Sequence, residues 1–260
     1  MPMQFSLAEL TPLIMGFMWP LVRISAMFAV MPVISAVHVP PRVRAGLALV
    51  LTLLVAPLLP PPPDVSAVSA AGLVITFHQV VVGLAMGFAI RLIFVVFELV
   101  GQVIAQHMAL HFASLVDPNS GVQMPMLGQF YIILATLVFL AINGHLVAIE
   151  ILVESFRVLP VGQQGLGADG LWALVAQMGW VFTSAVMFAL PAIAALLVVN
   201  LSFGVMTRAA PQLNIFSVGF PITLMMGLGV VFFTLPLFVR QMEPLIESAL
   251  EFLDALIGAG

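Results

Sequence analysis

Residues 65–90 read VSAVSAAGLVITFHQVVVGLAMGFAI, with no charged side chain before Arg91. A helix needs about 20 apolar residues to cross a bilayer, and this stretch exceeds that. Similar runs lie on both sides. Leu13–Val37 is apolar but interrupted by Pro20, Arg23 and Pro32, and the helical part of Ala45–Pro63 is cut short by Pro57 and the Pro60–Pro63 run. Downstream come Pro118–Ile149, with a helix through Phe130–Leu140, then Gly170–Thr207 and Ala209–Val239. About six hydrophobic segments predict an all-α integral membrane-type protein.

Composition agrees. Of 260 residues, 63% are hydrophobic and 7% charged, whereas a soluble chain carries about 25% charged residues. Such a chain cannot cover itself with polar groups, which excludes a freely soluble globular enzyme. The basic residues are seven Arg with no Lys, the net charge is −4, and there is no basic cluster; nucleic acid is therefore excluded as a partner class. With no Cys, disulfides, thiolate metal sites and thiol nucleophiles are excluded together. Met1–Leu10 contains no Lys or Arg, so no cleavable leader is expected and the first apolar stretch is retained.

Pro12, Pro20, Pro32, Pro57, Pro191, Pro221 and Pro236 fall within or beside apolar runs. Backbone left unpaired in lipid costs several kcal/mol per group, so such sites become either kinked spans or half-helices packed on neighbours. Both readings stay open at this level. If the segments alternate, Arg42, Arg44 and Arg208 face one side and Arg157 and Arg240 the other, a bias too small to set orientation. Pro60–Pro63 reads as a stiff extended connector, and Val161–Gly170 as a flexible polar loop. Glu243, Glu247, Glu251 and Asp254 recur at helical spacing opposite Ile246, Leu250, Leu253 and Ile257, predicting an acidic amphipathic helix that begins near Pro244.

Candidate chemistry is sparse. His107 and His111 share a helical face, but Met108 stands where a zinc hydrolase needs glutamate and no third ligand is suitably spaced. Arg23, Arg91 and Glu98 are ionisable residues inside apolar segments, which makes them functional candidates or buried ion pairs. Arg91 and Glu98 lie about 10 Å apart by helical rise, so each needs a partner elsewhere. Gly83 and Gly87 form a G-x-x-x-G spacing suited to close helix packing. No nucleophile elbow, phosphate loop or dinucleotide fingerprint is present, and no cofactor or metal is expected. Gly101–Leu127, GQVIAQHMALHFASLVDPNSGVQMPML, is the exception to the apolar pattern. It starts as a helix, breaks at Asp117–Pro118–Asn119 and continues to Met124–Pro125, a semi-polar stretch suited to lining or blocking a pore.

Met108, Leu110, Phe112 and Ala113 lead into Asp117–Pro118 and Met124–Pro125. Asn143–Gly144–His145, Pro211–Gln212–Leu213–Asn214 and Phe220–Pro221 follow, with Pro32, Pro40, Arg42, Arg44 and Pro57 upstream. In that order these residues resemble the FliR family of the flagellar type III export gate, whose injectisome counterparts share much of the pattern. His107 and His111 depart from the family, which more often has glutamine and a small polar residue there.

The resemblance implies one copy of this subunit with about five copies of FliP and several of FliQ, helices paired as hairpins in a helical, cone-like export gate. It implies a bacterial inner-membrane gate in the flagellar basal body, much of it on the periplasmic side, with the FlhB export-switch protein nearby and unfolded proteins as cargo. Residues 1–160 correspond to a FliP-like part and 161–260 to a FliQ-like part. A channel plug maps to about His107–Val122, with Met108, Phe112, Leu115 and Val116 as sealing residues around Asp117 and Pro118. Arg42, Arg44, Arg91, Glu98, Asn143, Gly144, His145, Pro211, Gln212 and Asn214 are expected to make motif and assembly contacts. The function implied is a non-enzymatic, pore-forming subunit. The main rival is a small-molecule secondary transporter with a site around Arg91, Glu98 and Asn143; a membrane metalloprotease on His107 and His111 is a third.

Overall fold

The computed structural model describes residues 7–108, 126–162, 164–209 and 219–258. Among them the regular structure is helical: α1 (Leu7–Val30), α2 (Pro41–Val55) with a short 3₁₀ turn Ala56–Leu58, α3 (Ala70–His107), α4 (Met126–Ala141), α5 (Gly144–Val158), α6 (Ala168–Ala209) and α7 (Phe220–Gly258). Four helices are long and apolar enough to cross a membrane: α2 with its 3₁₀ turn, α3, α6 and α7. The broken pair α4–α5 makes a fifth such segment and α1 is a shorter apolar helix. These correspond one to one with the six hydrophobic segments of the sequence.

Local chemistry sets the ends. Pro41 occupies the first turn of α2, where its missing N–H and fixed φ carry no penalty. The helix tightens at Ala56–Leu58, and Leu59 then turns extended into the proline run. At the start of α3 the Gly72 N–H donates to Ser69 Oγ (3.1 Å), a side-chain N-cap. Between α4 and α5 the chain breaks at Asn143, whose φ of 59° is left-handed; Asn tolerates that region better than most residues. Its carbonyl accepts from the Leu146 and Val147 N–H groups (2.8 and 3.2 Å) and so starts α5.

Most of the prolines lie inside continuous helices, whereas Pro32 follows the end of α1 and Pro57 sits in the 3₁₀ turn after α2. Pro12 and Pro20 lie inside α1, Pro191 inside α6, and Pro236 and Pro244 inside α7. The acidic helix expected to begin near Pro244 is therefore the end of one helix that starts at Phe220. Its amphipathic pattern is as the sequence indicates: Glu243, Glu247, Glu251 and Asp254 are exposed, while Ile246, Leu250, Leu253 and Ile257 are buried.

The chain groups into two compact units, one of Met1–Ile93, Asn143–Met178 and Ile246–Gly260, the other of Phe94–Ile142 and Gly179–Leu245. Helices α3, α6 and α7 each pass from one to the other. In the first unit α1 packs on α3 through the G-x-x-x-G pair. A Cβ on Gly83 would collide with the Arg23 carbonyl and Ala26, and one on Gly87 with the Met27 carbonyl. Lipid is as apolar as Leu, so close backbone approach rather than solvent exclusion drives such packing. In the second unit Gly101 faces Gly128, whose backbone lies 2.5 Å from where a Gly101 Cβ would stand. Beside them an aromatic cluster joins Tyr131 to Phe238 (ring centroids 4.7 Å), Phe238 to Phe188 (5.7 Å) and Phe188 to Phe97 (5.9 Å).

Candidate functional site

The first unit encloses one cation. Arg23 is 1% exposed. Its Nε donates to Gln79 Oε1 (2.8 Å), Nη1 to the Ser155 carbonyl (2.9 Å) and Ser155 Oγ (3.1 Å), and Nη2 to the Leu159 carbonyl (2.8 Å). The guanidinium lies over the Phe156 ring, 4.3 Å from its centroid. Every partner is neutral. At the end of α5 the carbonyl of the C-cap Leu159 has no helical donor, the Ser155 carbonyl already accepts from the Leu159 N–H (2.9 Å) and takes Arg23 as a second donor, and the negative end of the helix dipole favours a cation there. Arg23 thus replaces the expected ion pair with a helix C-terminus. Gln79 spends its carbonyl on Arg23 and its Nε2 is buried without a partner. Trp19 Nε1 donates to Thr76 Oγ1 (3.2 Å) one turn away on each helix.

The other two ionisable candidates differ from expectation. Arg91 is exposed, because its position on α3 points away from the packed face. Glu98 is half-buried, and its partner is on its own helix: Gln102 Nε2 donates to Glu98 Oε1 (3.2 Å). The (i, i+4) spacing makes this the nearest donor available.

The end of α3 is tied down from two sides within the second unit. Asn200 Nδ2 donates to the His107 carbonyl (3.1 Å). Met108 is fully buried against Gly227, where any Cβ would strike its side chain. Phe112, Leu115, Val116, Asp117 and Pro118, together with His111, lie outside the described residues, as do Pro211, Gln212 and Asn214. Among the described residues no three His, Asp or Glu side chains are grouped to hold a metal.

The remaining motif residues shape turns. Arg44 donates from Nε and Nη2 to the Val39 carbonyl (3.2 and 3.0 Å) and from Nη2 to the Ala36 carbonyl (3.0 Å), clasping the loop before α2. Arg42 is exposed. After Asn143, Gly144 is buried and His145 holds Nδ1 buried without a hydrogen bond. Sequence reading named Arg23 but missed Gln79, Ser155 and Leu159, which lie 56 to 136 residues away, and gave no sign of Asn200.

Large apolar side chains cover much of the outer surface. Val50, Leu53 and Leu54 on α2, Trp172, Phe182, Met187 and Leu201 on α6, and Met225, Phe232 and Phe233 on α7 are all exposed, Phe233 by 80%. Residues 14–249 match the model of the family described as bacterial export proteins, family 1. The chain belongs to this family. Its relatives include the flagellar biosynthetic protein FliR of Escherichia coli (strain K12), 38% identical over 93% of this chain and 92% of the relative. FliR of Pectobacterium carotovorum is 37% identical over the same shares. The more distant FliR of Bacillus subtilis (strain 168) is 28% identical over 97% of this chain and 98% of its own. As a FliR-family export protein, the chain is a multi-pass membrane component of the flagellar export apparatus. The export-gate family suggested by the ordered motifs is therefore the right one.

Proposed function

We propose that the chain is a non-enzymatic, pore-forming subunit of the flagellar type III export gate that works inside a coat of partner subunits. One observation carries this reading. The exposed apolar side chains of α6 run from Leu171 to Met206, about 52 Å at the rise of an α-helix. The hydrocarbon core is about 30 Å thick, and a helix tilted by about 40° stays within it for about 39 Å. More than 10 Å of apolar helix is left over beyond the hydrocarbon core, a surface that partner subunits would cover.

The partners of the FliR-family gate, about five copies of FliP and several of FliQ around one copy of this chain, supply such a cover in a helical, non-closing arrangement. In this reading the helices pair as hairpins, residues 1–160 act as the FliP-like part and 161–260 as the FliQ-like part. The assembly stands in the bacterial inner membrane with much of its mass on the periplasmic side and FlhB beside it. It passes unfolded export substrates, and residues 107–122 plug the passage. The tie of Asn200 to the His107 carbonyl and the seat of Met108 on Gly227 support a plug that leaves α3 from a fixed point. In that role Met108 anchors the segment rather than sealing the channel.

The test is to co-express the chain with its genomic neighbours and measure the intact mass of the detergent-extracted complex. One copy with about five of one partner and several of another supports the gate. A stable monomer or homodimer without membrane partners sinks it. For the plug, deleting residues 107–122 should leave the complex assembled but permeable to small ions; a fully sealed deletion complex refutes that assignment.

A further inference from the structure

Helix α3 is 38 residues long, about 57 Å and nearly twice the hydrocarbon thickness. Its side chains change character along its length. The exposed positions before Arg91 are apolar: Leu73, Val74, Phe77, Leu84 and Phe88. After Arg91, Gln106 is exposed while Glu98 and Gln102 are half-buried, with Val95, Leu99 and Val103 partly open along their edges. Glu98, Gln102 and Gln106 are spaced by four, so they share one face and climb about 12 Å along the helix. All three belong to the second compact unit.

This face is not built for lipid. An ionised carboxylate has about four acceptor sites, and among the described residues Glu98 has one donor, Gln102. The Gln106 side chain makes no hydrogen bond among the described residues, which leaves its two donor and two acceptor sites for water or cargo. Intramembrane ionisable and amide groups are expensive unless they face a water-filled space. The α6 part of the same unit offers no charge to pair with this face: between Asp169 and Arg208 the helix has no charged residue.

We propose that Glu98, Gln102 and Gln106 form a water-facing wall of the export passage, giving an unfolded polypeptide in transit amide and carboxylate partners for its backbone. This rests on the pore-forming reading above. The neutral amides exchange hydrogen bonds with any peptide group, which suits cargo of no fixed sequence. Glu98 adds a single negative charge that favours cations and basic cargo segments.

The absence of cysteine allows a direct test. Gln102→Cys and Gln106→Cys are placed singly in the full chain, with Leu84→Cys and Phe88→Cys for comparison, in complexes whose partners lack cysteine. Each detergent-extracted complex is weighed intact and then treated with a charged, water-soluble thiol reagent, both empty and with a stalled export substrate. Thiol reactivity follows water access, so positions 102 and 106 should react at least about tenfold faster than 84 and 88. A stalled substrate should slow them several-fold. Complexes of the right mass in which 102 and 106 react no faster than 84 and 88 overturn the wall and leave the gate standing. Fast labelling unchanged by stalled substrate also overturns it, since the face then meets water outside the passage. If no complex forms with any variant or with the parent chain, the gate reading and the wall fall together.

Discussion

Replacing Arg23 by Met removes the fork that closes α5 while keeping most of its volume. The Leu159 carbonyl loses its buried donor, and an orphaned buried acceptor costs about 1–3 kcal/mol; the Ser155 carbonyl loses a second donor but keeps the Leu159 N–H. Gln79 Oε1 is stranded as well, and the contact over Phe156 is lost, which is worth about 2 kcal/mol when desolvated. Against this, a cation no longer has to be held out of water, a relief of several kcal/mol for an isolated buried ion. The relief is the smaller side here, because Arg23 is hydrogen-bonded on Nε, Nη1 and Nη2. We expect a net loss of about 2–4 kcal/mol, which for a chain of this size lowers the melting temperature by about 5–15 °C.

The assay is a thermal melt of the detergent-solubilised full chain, read by tryptophan fluorescence, to which buried Trp19 one turn away contributes, and by size exclusion. Arg23→Lys should fall between, since one ammonium cannot reach both helix-end carbonyls and Gln79 together. Adding Gln79→Leu to Arg23→Met should recover about 1 kcal/mol, because removing both partners of a buried hydrogen bond is gentler than removing one. A melting temperature for Arg23→Met within about 2 °C of the parent refutes the claim that this cation holds the end of α5.

Other expectations follow from particular contacts. Gly101→Val should disrupt the second unit, because its Cβ meets the backbone of Gly128; overpacking of this kind costs about 1–3 kcal/mol, and a thermal melt or loss of monodisperse protein reads it. Gly46→Ala, with nothing near the added methyl and a helical setting, should instead stabilise by about 0.5–1 kcal/mol in the same melt. Asn143→Val forces a β-branched residue into φ near 59° and should cost about 1–2 kcal/mol, while Asn143→Gly should be close to neutral. Val33, already β-branched at φ 73°, makes the converse test: Val33→Gly should raise the melting temperature by a few degrees.

How much of this could be read from the sequence depends on the range of the interaction. Helix stops are local, so Pro57 marks a real boundary, and the spacing of Glu243 to Asp254 correctly gives the exposed face of α7; the break at Asn143, inside an uninterrupted apolar run, was not legible. The G-x-x-x-G pair indicates tight packing, though not that its partner is the backbone of α1. The prolines mislead because a helix supported by neighbours tolerates a missing hydrogen bond, so Pro244 looks like a start and lies inside α7. Arg91 misleads because apolar flanks suggest burial, while only the rotation of α3 decides which side it presents. The Arg23 site was legible only as a lone charge, since its acceptors are neutral groups on helices far away in sequence, and neutral acceptors leave no charge pattern to find.

The surplus length of apolar α6 also bears on how the subunit is made. A newly synthesised copy exposes side chains such as Trp172 and Leu201 that neither water nor the bilayer can wholly accommodate. In the proposed gate that surface is covered by partner subunits, and before they arrive it is a target for chaperones, membrane proteases and its own kind. On that proposal the cell has reason to match synthesis of this chain to that of its partners, and accumulation of the chain alone should shorten its lifetime.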